Sequence, residues 1–268
     1  MKTGIIGLGK MGGALLRGVL KAGAAAPEEV WVYDHHHENV QALREEYPGV
    51  HEAASEADAA DAVEVLILAV KPRGILPLIS SLSERGAELP LLISIAAAVS
   101  LNDMEACASD GTRIIRAMPN TPCMVLAGVI AYSTGTGVKD EDEEAARMLL
   151  SGCGSVCKVE ESGMNAVSAI SGCGPAYMFT ALDALADAGV AMGLPRKTAL
   201  ELAAETMRGA SLMLERTGKH PMELRDEVTS PGGTTIAALN ALDECGFRNA
   251  WIQAVKSAVR RAEEMESQ

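Results

Sequence analysis

"GLGKMG", residues 7–12, sets Gly7, Gly9 and Gly12 in a G-x-G-x-x-G pattern between a strand-like run and a helix-like one. Such a loop can hold a pyrophosphate. Its first glycine makes the tight turn, its second lets phosphates reach the backbone, and its third permits close helix–strand packing. The helix that follows presents unpaired N–H groups and a partial positive charge. Leu8, Lys10 and Met11 complete the loop and count with it as cofactor-binding candidates. Asp34 follows Gly12 by 22 residues, at the end of the next strand-like run, where an acid meets the ribose of a dinucleotide. An acid there favours a free 2′-hydroxyl, hence NAD. Directly after it stand His35, His36 and His37, and protonated imidazoles could meet a 2′-phosphate. His35 therefore joins the cofactor-binding candidates, and NAD versus NADP stays open.

A second glycine motif lies far away in the chain. "SPGGTT", residues 230–235, puts two glycines and three hydroxyls ahead of a helix-like run, with no lysine following as a P-loop would require. Free N–H groups at Thr234 and Thr235, with the Ser230 and Thr235 hydroxyls, make an anion site sized for a carboxylate; Thr234 is expected to cap the helix. Two further loops end strand-like runs, where open α/β sheets bind ligands. In "AVKP" (69–72), Ala69 and Val70 leave room for a cofactor against the backbone, and Pro72 breaks the strand. In "AMPNTP" (117–122), two prolines fix a loop around Asn120, whose amide offers donor and acceptor together.

A nicotinamide enzyme that reduces a ketone needs a proton donor for the developing alkoxide. None of the five histidines, His35, His36, His37, His51 and His220, stands in such a setting. A cyclic imine protonated before hydride transfer develops no alkoxide, so orientation and a grip on its fixed charge suffice.

These loops need a scaffold. Residues 3–7, 30–34, 63–70, 91–96 and 113–118 are short apolar runs suited to parallel strands buried on both faces. Helical patterns cover 10–23, 37–46 and 74–85, and strand-like pieces at 128–134 and 155–160 flank an acidic helix at 140–150. The alternation predicts an open α/β sheet with right-handed crossovers, a Rossmann-type dinucleotide-binding domain over 1–160. Over 161–268 helices take over and predict an all-α domain. The run 176–194 is apolar almost all round, with only Asp183 and Asp187 charged, and is read as buried in a core or against another subunit. A second long helix spans 194–218, from Pro195 to Gly218. So small a helical domain covers its apolar surface poorly alone, so a dimer through these helices is expected.

Bulk composition narrows the partners. The 268 residues are 48% hydrophobic, 22% charged and 3% aromatic, with a net charge of −13. That charge excludes nucleic acid as an expected partner. No run of 18 apolar residues suggests a membrane span, and the opening does not read as a signal peptide. Six cysteines carry no Cys-x-x-Cys pair, and Cys153 with Cys157 read as buried thiols. No metal is expected, since Asp183 and Asp187 lack a third ligand. The expected setting is the cytoplasm.

In order along the chain, "GLGKMG", "AVKP", "AMPNTP", "SGCGPAY", "DALADAGVAMGLPR" and "HPMELRDEVTSPGGTTIAAL" resemble the pyrroline-5-carboxylate reductases over nearly the whole length. The resemblance implies a dinucleotide domain, a helical dimerisation domain, and dimers that can build higher oligomers. It implies an active site where one subunit's cofactor domain meets helices of the dimer. The implied reaction is reduction of L-1-pyrroline-5-carboxylate to L-proline by NADPH or NADH, ending proline biosynthesis. By the same resemblance Gly7 to Gly12 hold the pyrophosphate, and Ala69, Val70, Lys71 and Pro72 the middle of the cofactor. Ala96, Ala97 and Asn120 would lie nearer the nicotinamide. Ser230, Gly233, Thr234 and Thr235 would hold the substrate, with Thr235 and Ser230 as candidate catalytic hydroxyls and Thr235 or solvent as the proton source. The chain departs from the family's usual pattern at Cys173 (usually Ser), Arg225 (usually Lys) and Glu227 (often Asn or Met). Three other readings compete: a reductase of a related imine such as piperideine carboxylate, a β-hydroxyacid-dehydrogenase-like enzyme, which would need a lysine acid in the helical domain for which Lys197 and Lys219 are poor candidates, and a non-catalytic NAD sensor.

Overall fold

A computed structural model describes residues 1–266. Its first compact unit comprises residues 1–173 together with the chain from Ala258 on; the second is Gly174–Ser257. The first unit is built on strands β1 (Thr3–Ile6), β2 (Val30–Tyr33), β3 (His51–Glu52), β4 (Val65–Leu68), β5 (Leu91–Ser94), β6 (Ile114–Met118), β7 (Gly128–Thr134) and β8 (Gly154–Lys158). Between them run α1 (Lys10–Lys21), α2 (His37–Glu46), α3 (Glu56–Asp61), α4 (Pro72–Ser83), α5 (Leu101–Cys107) and α6 (Asp140–Ser151). A short α7 (Met164–Val167) continues into a wider π turn at Ser168–Gly172.

One eight-stranded sheet results, in the order β3-β2-β1-β4-β5-β6-β7-β8. All pairings are parallel except β6 with β7. The order reverses direction at β1, so the crevice beyond the carboxyl ends of β1 and β4 is the topological switch point where such sheets bind ligands. Alternation along the strands explains the continuous apolar runs. Ile5, Val32, Ile67 and Ile93 face one core with Leu15, Leu16 and Leu149. Ile6, Leu66, Leu68 and Leu92 face the other with Ile75 and Ile79. A strand with helices on both faces has no polar side to show.

The strands and helices expected in this unit all form, with no end shifted by more than two residues. Pro72 does not break β4, which has already ended at Leu68; it opens α4 at the first helical position, where its missing N–H is no loss. Not foreseen were β3, α3, α5 and the antiparallel direction of β7. β3 has only two residues, both exposed, and α3 and α5 span six and seven residues, too short for a clear helical period. Cys153 is buried as expected, and burial with nearby Cys123 pushes its thiol up to about 12. Cys157 is exposed, because it sits on the open face of the edge strand β8.

Arg116, 5% exposed, ties the unit together. It donates to Glu161 at 2.6 Å and to Glu266 at 3.4 Å. Glu161 also accepts from the Ser133 hydroxyl at 2.7 Å and the Leu101 N–H at 3.0 Å. Burial raises the Glu161 carboxyl, but Ser133, the Leu101 N–H and Arg116 outweigh it and leave it below the ordinary 4.5.

The second unit is helical: α8 (Gly174–Ala191), α9 (Arg196–Thr217), α10 (Pro221–Glu227), α11 (Thr234–Glu244) and the start of α12 (Phe247–Glu266). α9 ends where the sequence says, at Gly218 with φ 63°. α8 buries only Gly174 and Ala186 within the chain. Phe179 and Met192 are 66% and 82% exposed, and Leu185, Leu200 and Leu202 are exposed with them. Among the described residues no helix is long and apolar enough to cross a membrane, and no group of three or more His, Cys, Asp or Glu could hold a metal ion.

Candidate functional site

The glycine loop at the switch point shows why each glycine is needed. Gly7 has φ 98°, and a Cβ there would lie 2.7 Å from the Ala69 carbonyl oxygen. At Gly12 a Cβ would come within 2.1 Å of the Gly7 carbonyl oxygen and 2.9 Å of the Ala69 Cβ. Gly9 differs from both: a Cβ would meet nothing within 4 Å. The backbone at Gly9 therefore faces open space. Gly9 is also the N-cap of α1, and having no side chain it leaves the N–H groups of Lys10, Met11 and Gly12 unclaimed. The first bond of the helix is Gly13 N–H to the Gly9 carbonyl at 2.8 Å.

Parallel pairing brings the other predicted cofactor residues to the same edge of the sheet. Ala69 follows β4 and donates its N–H to the Ile6 carbonyl at 2.8 Å. Val70 and Lys71 lead into α4, with Lys71 as its N-cap and Pro72 first in the helix. Ala96 and Ala97 follow β5, where the Ile95 N–H bonds to the Leu68 carbonyl at 3.1 Å. The next residue, Ala98, holds a left-handed φ of 56°, which is strained for a residue with a Cβ. Asn120 follows β6, 8% exposed, with much of its amide engaged: Oδ1 accepts from the Val129 N–H at 2.9 Å and Nδ2 donates to the Ser171 carbonyl at 3.1 Å. It clips the loop to its neighbours and retains one free Nδ2 hydrogen.

Asp34 stands just past β2 and its carboxylate reaches the glycine loop. Oδ2 accepts from the Leu8 N–H at 2.5 Å and from Asn39 Nδ2 at 3.3 Å, and Oδ1 from the His36 N–H at 2.7 Å. The sequence reading missed Asn39, although a side chain in the first turn of α2, five residues after the acid, is placed to steady it. The three histidines are each turned toward a carboxylate: His35 to Glu56 at 3.5 Å, His36 to Glu38 at 3.4 Å and His37 to Glu52 at 2.6 Å. A cleft of about 670 Å³ opens beside Asp34, lined by His35, His37, Arg44 and Glu52 among others.

In the second unit the residues predicted to hold an anion share one turn. Gly232 has φ 68°, and at Gly233 a Cβ would fall 2.4 Å from Ser230 Oγ, so a side chain there would make that hydroxyl rotate away. The N-cap of α11 is Gly233, not Thr234 as the sequence suggested; Thr234 is the first helical residue. With no capping side chain, the N–H groups of Thr234, Thr235 and Ile236 stay unclaimed. Ile236, whose contribution is purely backbone, gave no signal in the sequence. Among the described residues the hydroxyls of Ser230, Thr234 and Thr235 make no hydrogen bond within the chain. The turn thus aims several donors outward with no cation among them. Lys219 pairs with Glu227, which raises its ammonium, and Lys197 is exposed beside Glu201. Lys219, so paired, is held on its proton.

Comparison with known proteins covers both units. A family model for pyrroline-5-carboxylate reductase dimerisation matches residues 161–265, and one for coenzyme F420-dependent NADP oxidoreductases matches residues 2–98. A pyrroline-5-carboxylate reductase of Arabidopsis thaliana is 40% identical over 264 residues, covering 98% of this chain and 95% of its own. The solved structure of a pyrroline-5-carboxylate reductase from Coxiella burnetii superposes with a TM-score of 0.93 at 33% identity, covering 98% of each chain. That of the Plasmodium falciparum pyrroline carboxylate reductase with NADP bound gives 0.86 at 28% identity, covering 99% of this chain and 98% of its own. A chain with this glycine cradle, this helical unit and relatives matched end to end belongs to the pyrroline-5-carboxylate reductase family.

Proposed function

We propose that the chain is an oxidoreductase that reduces L-1-pyrroline-5-carboxylate to L-proline with NADPH or NADH, the final step of proline biosynthesis. The observation that carries this is the pair of glycine-capped helix starts, at α1 and α11, in a member of this family. Each leaves three N–H groups for an anion, one suited to a pyrophosphate and one to a carboxylate.

A bound reduced nicotinamide supplies the hydride. The open face at Gly9, with the Lys10, Met11 and Gly12 N–H groups, would hold the phosphates; Ala69 to Pro72 would hold the cofactor's middle, and Ala96, Ala97 and Asn120 its reactive end. Thr234, Thr235 and Ile236 bind the substrate carboxylate through their N–H groups. The Ser230 and Thr235 hydroxyls orient the ring, and Thr235 stands closest in kind to a proton source for the imine nitrogen, with solvent as its competitor. A protonated C=N bond takes hydride at carbon and leaves a neutral amine, so no buried acid is required.

The exposed apolar faces of α8 and α9 support a homodimer, since about 25 cal/mol per Å² favours their removal from water. Six free cysteines accord with a reducing cytoplasm. The test of function is direct: purified protein with pyrroline-5-carboxylate should oxidise NADH or NADPH and release proline. Folded protein without turnover sinks the assignment. Light scattering that gives a monomer mass at every concentration sinks the dimer.

A further inference from the structure

Asp34 decides more than ribose binding. We propose that it makes this chain select NADH over NADPH, an inference that rests on the dinucleotide reading of the glycine loop given above. The sequence left the choice open because three histidines follow the acid. The structure removes that ambiguity by showing what each group already holds.

The carboxylate of Asp34 is fixed at the loop by three donors, the Leu8 N–H, the His36 N–H and Asn39 Nδ2. A carboxylate accepts about four hydrogen bonds and donates none. The fourth acceptor position suits a ribose 2′-hydroxyl, which brings a proton. A 2′-phosphate brings only acceptor oxygens and close to two negative charges, and so meets the carboxylate without any bond to make.

The basic side chains that line the cleft already have partners, His51 among them through the Glu28 carbonyl at 3.0 Å. Phosphate recognition at this position uses an Arg, whose planar fork matches the phosphate oxygens. Here the permanent cation lining the cleft is Arg44, and it already lies 3.5 Å from Glu52. His35, His36 and His37 face Glu56, Glu38 and Glu52 in turn, so each imidazole carries its own carboxylate partner. Two acids, Asp34 and Glu52, line the cleft itself, and Glu56 and Glu38 pair with the histidines beside it. Crowding like charges against a ligand group weakens its binding by several kcal/mol in protein complexes.

Dissociation constants for NADH and NADPH, measured by titration calorimetry on the intact wild-type protein, test this without a variant and without turnover. NADH should bind at least about tenfold more tightly. Equal affinities, or tighter NADPH, overturn the inference and leave the dinucleotide reading standing; binding of neither overturns both. Asp34→Ser, checked for folding by its thermal melt, should move the NADH-to-NADPH affinity ratio at least about tenfold toward NADPH. An unmoved ratio in a folded variant would take the selection away from Asp34.

Discussion

Replacing Gly9 by alanine should leave the protein folded and weaken its cofactor, while the same change at Gly12 should do the reverse first. At Gly9 the backbone has an ordinary negative φ of −59°, and a Cβ would touch nothing within 4 Å. Two small effects on stability nearly cancel. Alanine is a poorer N-cap than glycine by roughly 0.5–1 kcal/mol, and it restricts the unfolded chain by about 0.4–1 kcal/mol in the opposite sense. The melting temperature of Gly9→Ala should therefore stay within about 2 °C of wild type. The added methyl instead occupies the face through which phosphates approach. Overfilling a tight contact costs about 1–3 kcal/mol, which is roughly a 5- to 150-fold rise in the dissociation constant. Gly12→Ala meets a backbone oxygen at 2.1 Å, and no side chain can move aside. It should lose about 3 kcal/mol, a fall of roughly 6–12 °C in melting temperature. Differential scanning calorimetry with and without dinucleotide separates the two effects. A Gly9→Ala protein that melts normally and binds dinucleotide as tightly as wild type would refute the role given to this loop.

Thr235→Ala should reduce kcat/KM for pyrroline-5-carboxylate about 10- to 150-fold, the worth of one hydrogen bond to a charged group. A loss confined to KM marks the Thr235 hydroxyl as a substrate-binding group, whereas a loss in kcat marks it as a proton source, and steady-state kinetics reads the split. Ala98→Gly should raise the melting temperature slightly, because relief of about 1–2 kcal/mol of left-handed strain exceeds the 0.4–1 kcal/mol of added unfolded-state freedom. Glu161→Gln should cost about 1–3 kcal/mol at neutral pH by weakening the bonds to Arg116 and Ser133. Since the folded state lowers the Glu161 carboxyl, its share of stability is present above 4.5 and is lost as pH falls through the lower folded value. The gap between wild type and Glu161→Gln in urea melts should therefore narrow below pH 4.5, and a gap that widened there would contradict the assignment.

The strands of the first unit were legible because burial on both faces writes an unbroken apolar run, as in Val65–Leu68. Long helices were legible from their period and punctuation, with Pro195 and Gly218 bracketing α9. Short elements left no such mark: His51 and Glu52 form β3 through backbone pairing to Trp31 and Val32 alone. The direction of β7 was invisible because an interior strand reads alike whether its neighbour is parallel or antiparallel. At the site, the glycines were legible from spacing, but their distinct duties were not, since only neighbouring atoms distinguish Gly9 from Gly12. Asn120 showed an amide but not its engagement with Val129 and Ser171, which depends on chain brought in from 9 and 51 residues away. The orientation of His35 and His37 toward acids likewise came from Glu56 and Glu52, further along the chain.

Glycine at the caps of α1 and α11 has a thermodynamic consequence for the protein at work. Serine or aspartate in either place would complete the helix from within and stabilise it by a few tenths of a kcal/mol. Glycine leaves that completion to whatever anion arrives, so ligand and helix finish one another. At a ligand concentration 100 times the dissociation constant, mass action adds about 2.7 kcal/mol to the folded state at each site. The fraction of molecules exposed to proteolysis would then fall as the pools of cofactor and substrate rise. Supply of reactants thus becomes one of the determinants of how long the protein lasts.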